Sequence, residues 1–228
     1  MIPLKDHNPT RRIPFVNLLL IAANIGVFVY QFFYLPQGPG YLIQSFGVVP
    51  FDLLDSPAAG PHALLPAPLT VISAMFIHGG WLHLLGNMLY LWIFGDNVED
   101  RLGHGRYLVF YLACGVIAAL VHAVVFAQSK VPCVGASGAI SGVLVAYLIF
   151  FPKARVSTLF VIFIFIRIVR LPAVVLLGLW IGLQIVGGMQ SLSAAAGGVA
   201  WFAHIGGIAA GILLSLIMRP PRPRRSAA

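Results

Sequence analysis

The chain has very little charge. Only 9% of its 228 residues are Asp, Glu, Lys or Arg, and just 6 of these are acidic. A soluble globular domain carries about a quarter charged residues, so the composition excludes an ordinary soluble protein. With 60% hydrophobic residues and a mean hydropathy of +0.95, the chain is predicted to be an integral membrane protein whose partner is the lipid bilayer.

Cysteine is scarce as well. Cys114 and Cys133 lie in or beside apolar runs, and they lack the spacing of metal ligands. This pattern favours free thiols over a disulfide.

Six apolar stretches are long enough for membrane spans, since a spanning helix needs about 20 mainly apolar residues. They are residues 14–34, 81–98, 106–126, 135–151, 171–188 and 199–218. A further run, 156–166, is short before Arg167 and Arg170 interrupt it. It is interpreted as a segment lying along the membrane surface, and a seventh span is the alternative.

The basic residues indicate the orientation. With six spans, every Lys and Arg except Lys130 falls on one side of the membrane, and a seventh span would mix the two sides. Because Lys and Arg accumulate in cytoplasmic loops, both termini are predicted to be cytoplasmic and the large first loop, 35–80, external. The basic residues responsible for the net charge of +8 lie at the ends of apolar runs and indicate orientation in the membrane. No nucleic-acid partner is expected.

The chain is accordingly divided into three parts. Residues 1–13 form a cytoplasmic segment, 14–218 an all-α membrane domain, and 219–228 a basic cytoplasmic tail near anionic lipid. The first loop is rich in Pro, Gly and aromatic residues, which favours a partly membrane-embedded structure over a flexible linker.

Two polar residues stand out in the apolar spans. Ser137 lies between Gly135-Ala136 and Gly138 at the start of the fourth span, and His204 lies near the start of the sixth. Both spans enter from the outside, so both residues are expected about 5–10 Å below the outer surface. A serine nucleophile needs a base, and no carboxylate lies at this depth. The sequence therefore predicts a Ser137–His204 dyad.

Small residues recur every four positions on these spans: Gly138 and Gly142 on the fourth, and Ala203, Gly207 and Gly211 on the sixth. Such stripes allow two helix backbones to approach closely. They are expected to bring Ser137 and His204 together.

His83 and Asn87 are four residues apart on the second span and share a helix face. Both can donate hydrogen bonds to a developing oxyanion. The structural alternative is that Asn87 only packs between helices. His122 is interpreted as a packing residue. A metal site of His78, His83 and His204 would lack a carboxylate or cysteine ligand, so no metal is expected.

Four ordered motifs, at 76–88, 94–103, 135–142 and 203–211, resemble those of the rhomboid intramembrane serine proteases. The resemblance covers roughly residues 70–218. It implies a six-transmembrane-helix bundle whose water-filled site opens to the extracytoplasmic side, and cleavage of transmembrane segments of other proteins without metal or cofactor.

The resemblance also implies roles for single residues. Ser137 and His204 would be catalytic, and His83 and Asn87 would stabilise the oxyanion. Glu99 and Arg101 would be structural. Some family members place Tyr four residues after the nucleophile, where its ring stacks on the catalytic His; here that position is Ser141.

A bacterial inner membrane is the expected location. A small transporter or receptor built on the same bundle and an inactive rhomboid-like protein are the alternatives to a protease.

Overall fold

A computed structural model describes residues 1–55, 64–162, 165–192 and 199–218. This part of the chain is mostly helical. Its helices are α1 Phe15–Val29, α2 Gly40–Phe46, α3 Pro50–Leu54, α4 Ala67–Ser73, α5 Trp81–Leu102, α6 His104–Val125, α7 Ser137–Phe150, α8 Ala173–Ser191 and α9 Trp201–Ile217. Its strands are β1 Ile2–Asp6, β2 Arg155–Ile162 and β3 Phe165–Pro172. The basic tail, 219–228, lies outside the described residues.

Helices occur at all six predicted span positions. Three are long and apolar enough to cross a membrane: α1 with its π-helical continuation to Tyr34, α6 and α8. A fourth is added if α5 is joined to Ala67–Phe76, from which it is bent by 80°. The 14 residues of α7 extend about 21 Å, less than the roughly 30 Å of a hydrocarbon core. For α7 and the similarly short α9, crossing of the membrane remains a prediction.

Helix α7 lies at the centre of the fold. Residues 138–147 are all buried, and the helix contacts α5, α6, α8 and α9. Its glycines allow the closest of these contacts: a Cβ at Gly207 would overlap the carbonyl oxygen of Gly138, and one at Gly211 would lie 2.6 Å from the Cα of Gly142. The small-residue stripes thus join α7 to α9, as their spacing predicts.

The buried carboxylate of Glu99 caps another helix. It accepts hydrogen bonds from the backbone N–H groups of Val16 and Asn17, at 3.0 and 2.7 Å. These belong to the first turn of α1, whose N–H groups have no partner within the helix. A negative charge also suits a helix N-terminus. Glu99 therefore attaches the start of α1 to the end of α5, which agrees with its predicted structural role.

The all-α prediction is wrong for residues 2–6, 155–162 and 165–172, which form an antiparallel sheet in the order β1-β2-β3. Strands β2 and β3 pair from Arg155↔Pro172 to Ile162↔Phe165, so the described residues of the run 156–166, interpreted as one surface segment, belong to two antiparallel strands. Its sequence is rich in β-branched and aromatic residues, which favour strands. Hydropathy alone does not distinguish such strands from an apolar helix.

Asp6, at the end of β1, connects the sheet to the helices. Its Oδ2 accepts hydrogen bonds from the Tyr147 hydroxyl and the Asn97 side-chain amide, each at 2.9 Å. Tyr147 belongs to α7 and Asn97 to α5. Burial raises the pKa of the Asp6 carboxyl, although the Tyr147 hydrogen bond opposes this shift. The N-terminal segment is therefore part of the folded unit.

The described parts of the first loop, 35–55 and 64–80, contain α2, α3 and α4. Val48 and Cys133 exchange two backbone hydrogen bonds, of 3.0 and 2.8 Å, and the Gly135 N–H donates to the Ala74 carbonyl at 2.8 Å. The loop is therefore bonded to the segment that leads into α7. Its external location remains a prediction.

Candidate active site

Ser137 is the first residue of α7. Two residues earlier, Gly135 has a φ of +124°, a conformation that residues with a Cβ rarely adopt. A Cβ at Gly135 would also lie 2.6 Å from Nε2 of His83. Conformation and space both require glycine here, so the tight entry to α7 positions Ser137.

His204 lies in the first turn of α9, and its Nε2 is 2.8 Å from the Oγ of Ser137. The two residues are 67 positions apart, and the glycine contacts between α7 and α9 bring them together. A hydroxyl in hydrogen-bond contact with an imidazole is the arrangement of an activated serine nucleophile.

The other ring nitrogen of His204 has a partner on α8. Its Nδ1 lies 2.6 Å from Oε1 of Gln184, and Gln184 is only 5% exposed. The Nε2 of Gln184 donates to the Trp180 carbonyl at 3.2 Å. Gln184 is absent from the predicted site residues, although one signal marks it: it is a polar residue in the middle of an otherwise apolar span.

Two tryptophans flank the His204 ring. The ring centroids of Trp180 and Trp201 lie 6.1 and 6.2 Å from it, at interplanar angles of 32° and 79°.

Ser141 occupies the position at which some family members have a tyrosine that stacks on the histidine. Its hydroxyl donates to the Ser137 carbonyl at 2.6 Å. Its Cβ would lie 3.1 Å from a Cβ at Gly207. The small residue at 141 thus faces α9 where the two helices are close.

The His83 Nε2 and the Ser137 Oγ both lie near Gly135. A Cβ at Gly135 would lie 2.6 Å from the His83 Nε2 and 3.8 Å from the Ser137 Oγ. On its other side, the His83 Nδ1 lies 3.4 Å from the Gly79 backbone nitrogen. His83 therefore lies near Ser137 from the side of α5, and its role as an oxyanion donor remains a prediction.

Asn87 lies one turn further along α5 and is 7% exposed. One N–H of its side-chain amide donates to the His83 carbonyl at 3.0 Å, a bond within its own helix. The amide has a second N–H. This geometry is compatible both with a second oxyanion donor and with the structural alternative.

A cavity of about 30 Å³ adjoins Ser137, large enough for a water molecule. Its walls are mostly small residues, among them Ala74, Ala118, Gly135, Gly138, Ala139 and Ala203. Within the described ranges, no three His, Cys, Asp or Glu side chains cluster as metal ligands would.

The family model described as Rhomboid domain matches residues 67–221, which is most of the chain. The chain belongs to the rhomboid family. The match confirms the resemblance seen in the four motifs, and it includes every predicted site residue.

Three relatives illustrate the range of this family. RHOMBOID-like protein 4 of Arabidopsis thaliana is 30% identical over 230 residues, covering 91% of this chain and 54% of the relative. The presenilin-associated rhomboid-like protein, mitochondrial, of Bos taurus is 32% identical over 143 residues, covering 62% and 34%. The rhomboid protease GluP of Bacillus subtilis (strain 168) is 41% identical over 78 residues, covering 34% and 15%.

The chain spans about half the length of RHOMBOID-like protein 4 and a smaller share of the other two relatives. One relative is named as a protease, and the names include both a mitochondrial and a bacterial protein. The composition and helices indicate a membrane protein, and its location in a bacterial inner membrane remains a prediction.

Proposed function

We propose that this rhomboid domain is an intramembrane serine endopeptidase that cleaves transmembrane segments of other membrane proteins. The observation that carries the proposal is the 2.8 Å contact between the Ser137 Oγ and the His204 Nε2. Membership of the rhomboid family supports the interpretation of this contact as a catalytic pair.

In the proposed reaction, the Ser137 Oγ attacks the carbonyl carbon of the scissile peptide bond while its proton passes to the His204 Nε2. The tetrahedral intermediate collapses, the C–N bond breaks, and His204 gives the proton to the leaving amine. Water then attacks the acyl-enzyme, with His204 again taking and returning a proton. The products are two peptide segments and the free enzyme.

The intermediate carries a negative oxygen that needs hydrogen-bond donors. The His83 Nε2 and the Ser137 Oγ both lie near Gly135, and Asn87 has a second amide N–H beyond its bond to His83. The Ser137 N–H lies at the start of α7, where the helix dipole also favours negative charge. Donors of this kind act in the transition state more than in the ground state.

The cavity beside Ser137 suggests which peptide bonds are cut. Its volume of about 30 Å³ and its alanine and glycine walls suit a small side chain next to the scissile bond.

The proposed fold is a six-helix bundle whose site opens to the extracytoplasmic side, as the distribution of Lys and Arg predicts. The substrates are single-pass membrane proteins with small residues near the outer membrane surface.

Labelling with a fluorophosphonate, which reacts covalently with activated serines, tests the nucleophile. The purified protein should be labelled, while Ser137→Ala and His204→Ala should not. Ser141→Ala, on the same helix one turn away, is the matched control and should keep the label. Equal labelling of Ser137→Ala would refute the assignment, and absence of labelling in the wild-type protein would favour an inactive rhomboid.

A cleavage assay separates a protease from a transporter or receptor. In detergent, without an ion gradient and with a chelator present, the protein should cut a single-pass substrate at small residues. Binding of a solute without any cleavage across varied membrane substrates would favour the transporter.

A further inference from the structure

We infer that Gln184 is a positioning residue that holds His204 in the tautomer with its proton on Nδ1. This inference rests on the proposed function, because the tautomer matters to the reaction only if His204 is the base. It adds a fourth helix, α8, to a site whose predicted residues lie on α5, α7 and α9.

The orientation of the Gln184 amide follows from its two partners. The Trp180 carbonyl can only accept a hydrogen bond, so the amide nitrogen must face it, at 3.2 Å. The amide oxygen then faces the His204 Nδ1, at 2.6 Å. Since an amide oxygen also only accepts, Nδ1 must carry the proton.

The consequence for catalysis lies on the other side of the ring. In a neutral imidazole one nitrogen carries a hydrogen and the other accepts. With the proton on Nδ1, Nε2 has a free lone pair directed at the Ser137 hydroxyl, 2.8 Å away. The chain from Trp180 through Gln184 and His204 to Ser137 thus leaves the base ready to accept a proton.

A purely structural role for Gln184, as a polar link between α8 and α9, is the competing explanation. The two helices have a separate close contact, however. A Cβ at Gly187 would lie 2.5 Å from the Trp201 ring, and one at Gly188 would lie 2.7 Å from the Ile205 Cδ1. Glycine packing joins these helices next to Gln184, so the amide is not required as their link.

Chemistry also distinguishes Gln184 from the acidic member of a triad. A neutral amide orients the ring but supplies no full negative charge to stabilise an imidazolium. A carboxylate at this position would be costly to bury among apolar helices. Gln184 therefore supplies orientation without the cost of a buried charge.

¹⁵N-histidine NMR of the full chain in detergent tests the tautomer directly, with His204 signals assigned by their loss in His204→Ala. Wild-type His204 should show a protonated Nδ1 and an unprotonated Nε2. Gln184→Met, which is similar in length but has no acceptor, should populate the opposite tautomer. Gln190→Met, at an exposed position on the same helix, is the control and should not. An unchanged tautomer in Gln184→Met would overturn the inference.

Kinetics provide the second measurement. Gln184→Met should lower kcat by about 10²-fold, the low end of general-base effects, with little change in KM. Gln184→Glu should restore most of kcat and move the acidic limb of the activity–pH profile to higher pH, because a carboxylate favours the protonated ring. Two other titratable groups interact electrostatically with His204: His83 on α5 and His122 on α6. Both are unchanged in the two variants.

The outcomes separate the two proposals. Equal losses in the Met and Glu variants, with parallel loss of thermal stability and no pH shift, would show a structural link and overturn the inference. A wild-type protein that shows the stated tautomer but cleaves no substrate would support the tautomer assignment and overturn the proposed function.

Discussion

Gly207 on α9 lies against the carbonyl oxygen of Gly138 on α7 so closely that any Cβ at Gly207 would overlap that oxygen. This contact is three residues from His204 and one from Ser137. Gly207 and Gly211 have no Cβ atom, and this allows α9 to lie close to α7. The distance between the proposed base and nucleophile therefore depends on these two glycines.

Gly207→Ala is expected to separate α7 from α9. Overpacking of this kind costs about 1–3 kcal/mol, and a shift of about 1 Å at a catalytic pair can lower the rate about 10²-fold. Thermal unfolding in detergent and the rate of fluorophosphonate labelling measure the two effects. Gly182→Ala, on α8 with open space around its added Cβ, is the control. Wild-type labelling by Gly207→Ala would show that the helices adjust without cost.

Asn87→Ala is expected to lower turnover far more than substrate binding, because the oxyanion exists only along the reaction path. Removal of one oxyanion donor costs about 10²–10³-fold in kcat. Steady-state kinetics on a membrane substrate would give kcat and KM separately. His83→Ala should act in the same direction. Unchanged kcat in Asn87→Ala would support the structural alternative, in which Asn87 only packs between helices and its amide bonds to the His83 carbonyl within α5.

The Asp6 carboxyl is expected to make stability depend on pH. Burial raises its pKa above the ordinary value of 3.8, so its contribution to folding is complete below that value and is lost as pH rises through the folded-state pKa. Asp6→Asn removes the ionisation. Its stability relative to wild type should therefore increase as pH rises from about 4. Unfolding in detergent at a series of pH values measures this difference.

Asp6→Ala should behave differently from Asp6→Asn. It removes the acceptor of the Tyr147 hydroxyl and one of the two acceptors of the Asn97 amide, which keeps Asp96, at a cost of about 1–3 kcal/mol. If the alanine and asparagine variants were equally stable at every pH, the hydrogen bonds of Asp6 would not contribute to the attachment of the sheet.

Cysteine accessibility in cells tests the topology on which the site depends. In a variant lacking Cys114 and Cys133, cysteines at positions 60 and 193 should react with an impermeant reagent from outside. Cysteines at 155 and 222 should react only after permeabilisation, because the basic residues around them predict a cytoplasmic location. A cytoplasmic position 193 with an external position 60 would contradict the six-span topology.

The sequence by itself determined the membrane class, the family and the two residues of the proposed dyad. These depend on local properties: mean hydropathy, charge at the ends of apolar runs, and short motifs around Ser137 and His204. The glycine spacing even indicates which two helices meet, because a four-residue period places small residues on one helix face.

Only the tertiary structure revealed the partner of the His204 Nδ1 and the sheet. Gln184 carries no motif, and its contact with His204 depends on how α8 packs against α9 through Gly187 and Gly188. Strand β1 likewise pairs with β2 across about 150 residues of chain. Strand pairing and helix packing gain their free energy from partners distant in sequence, so local composition does not reveal them.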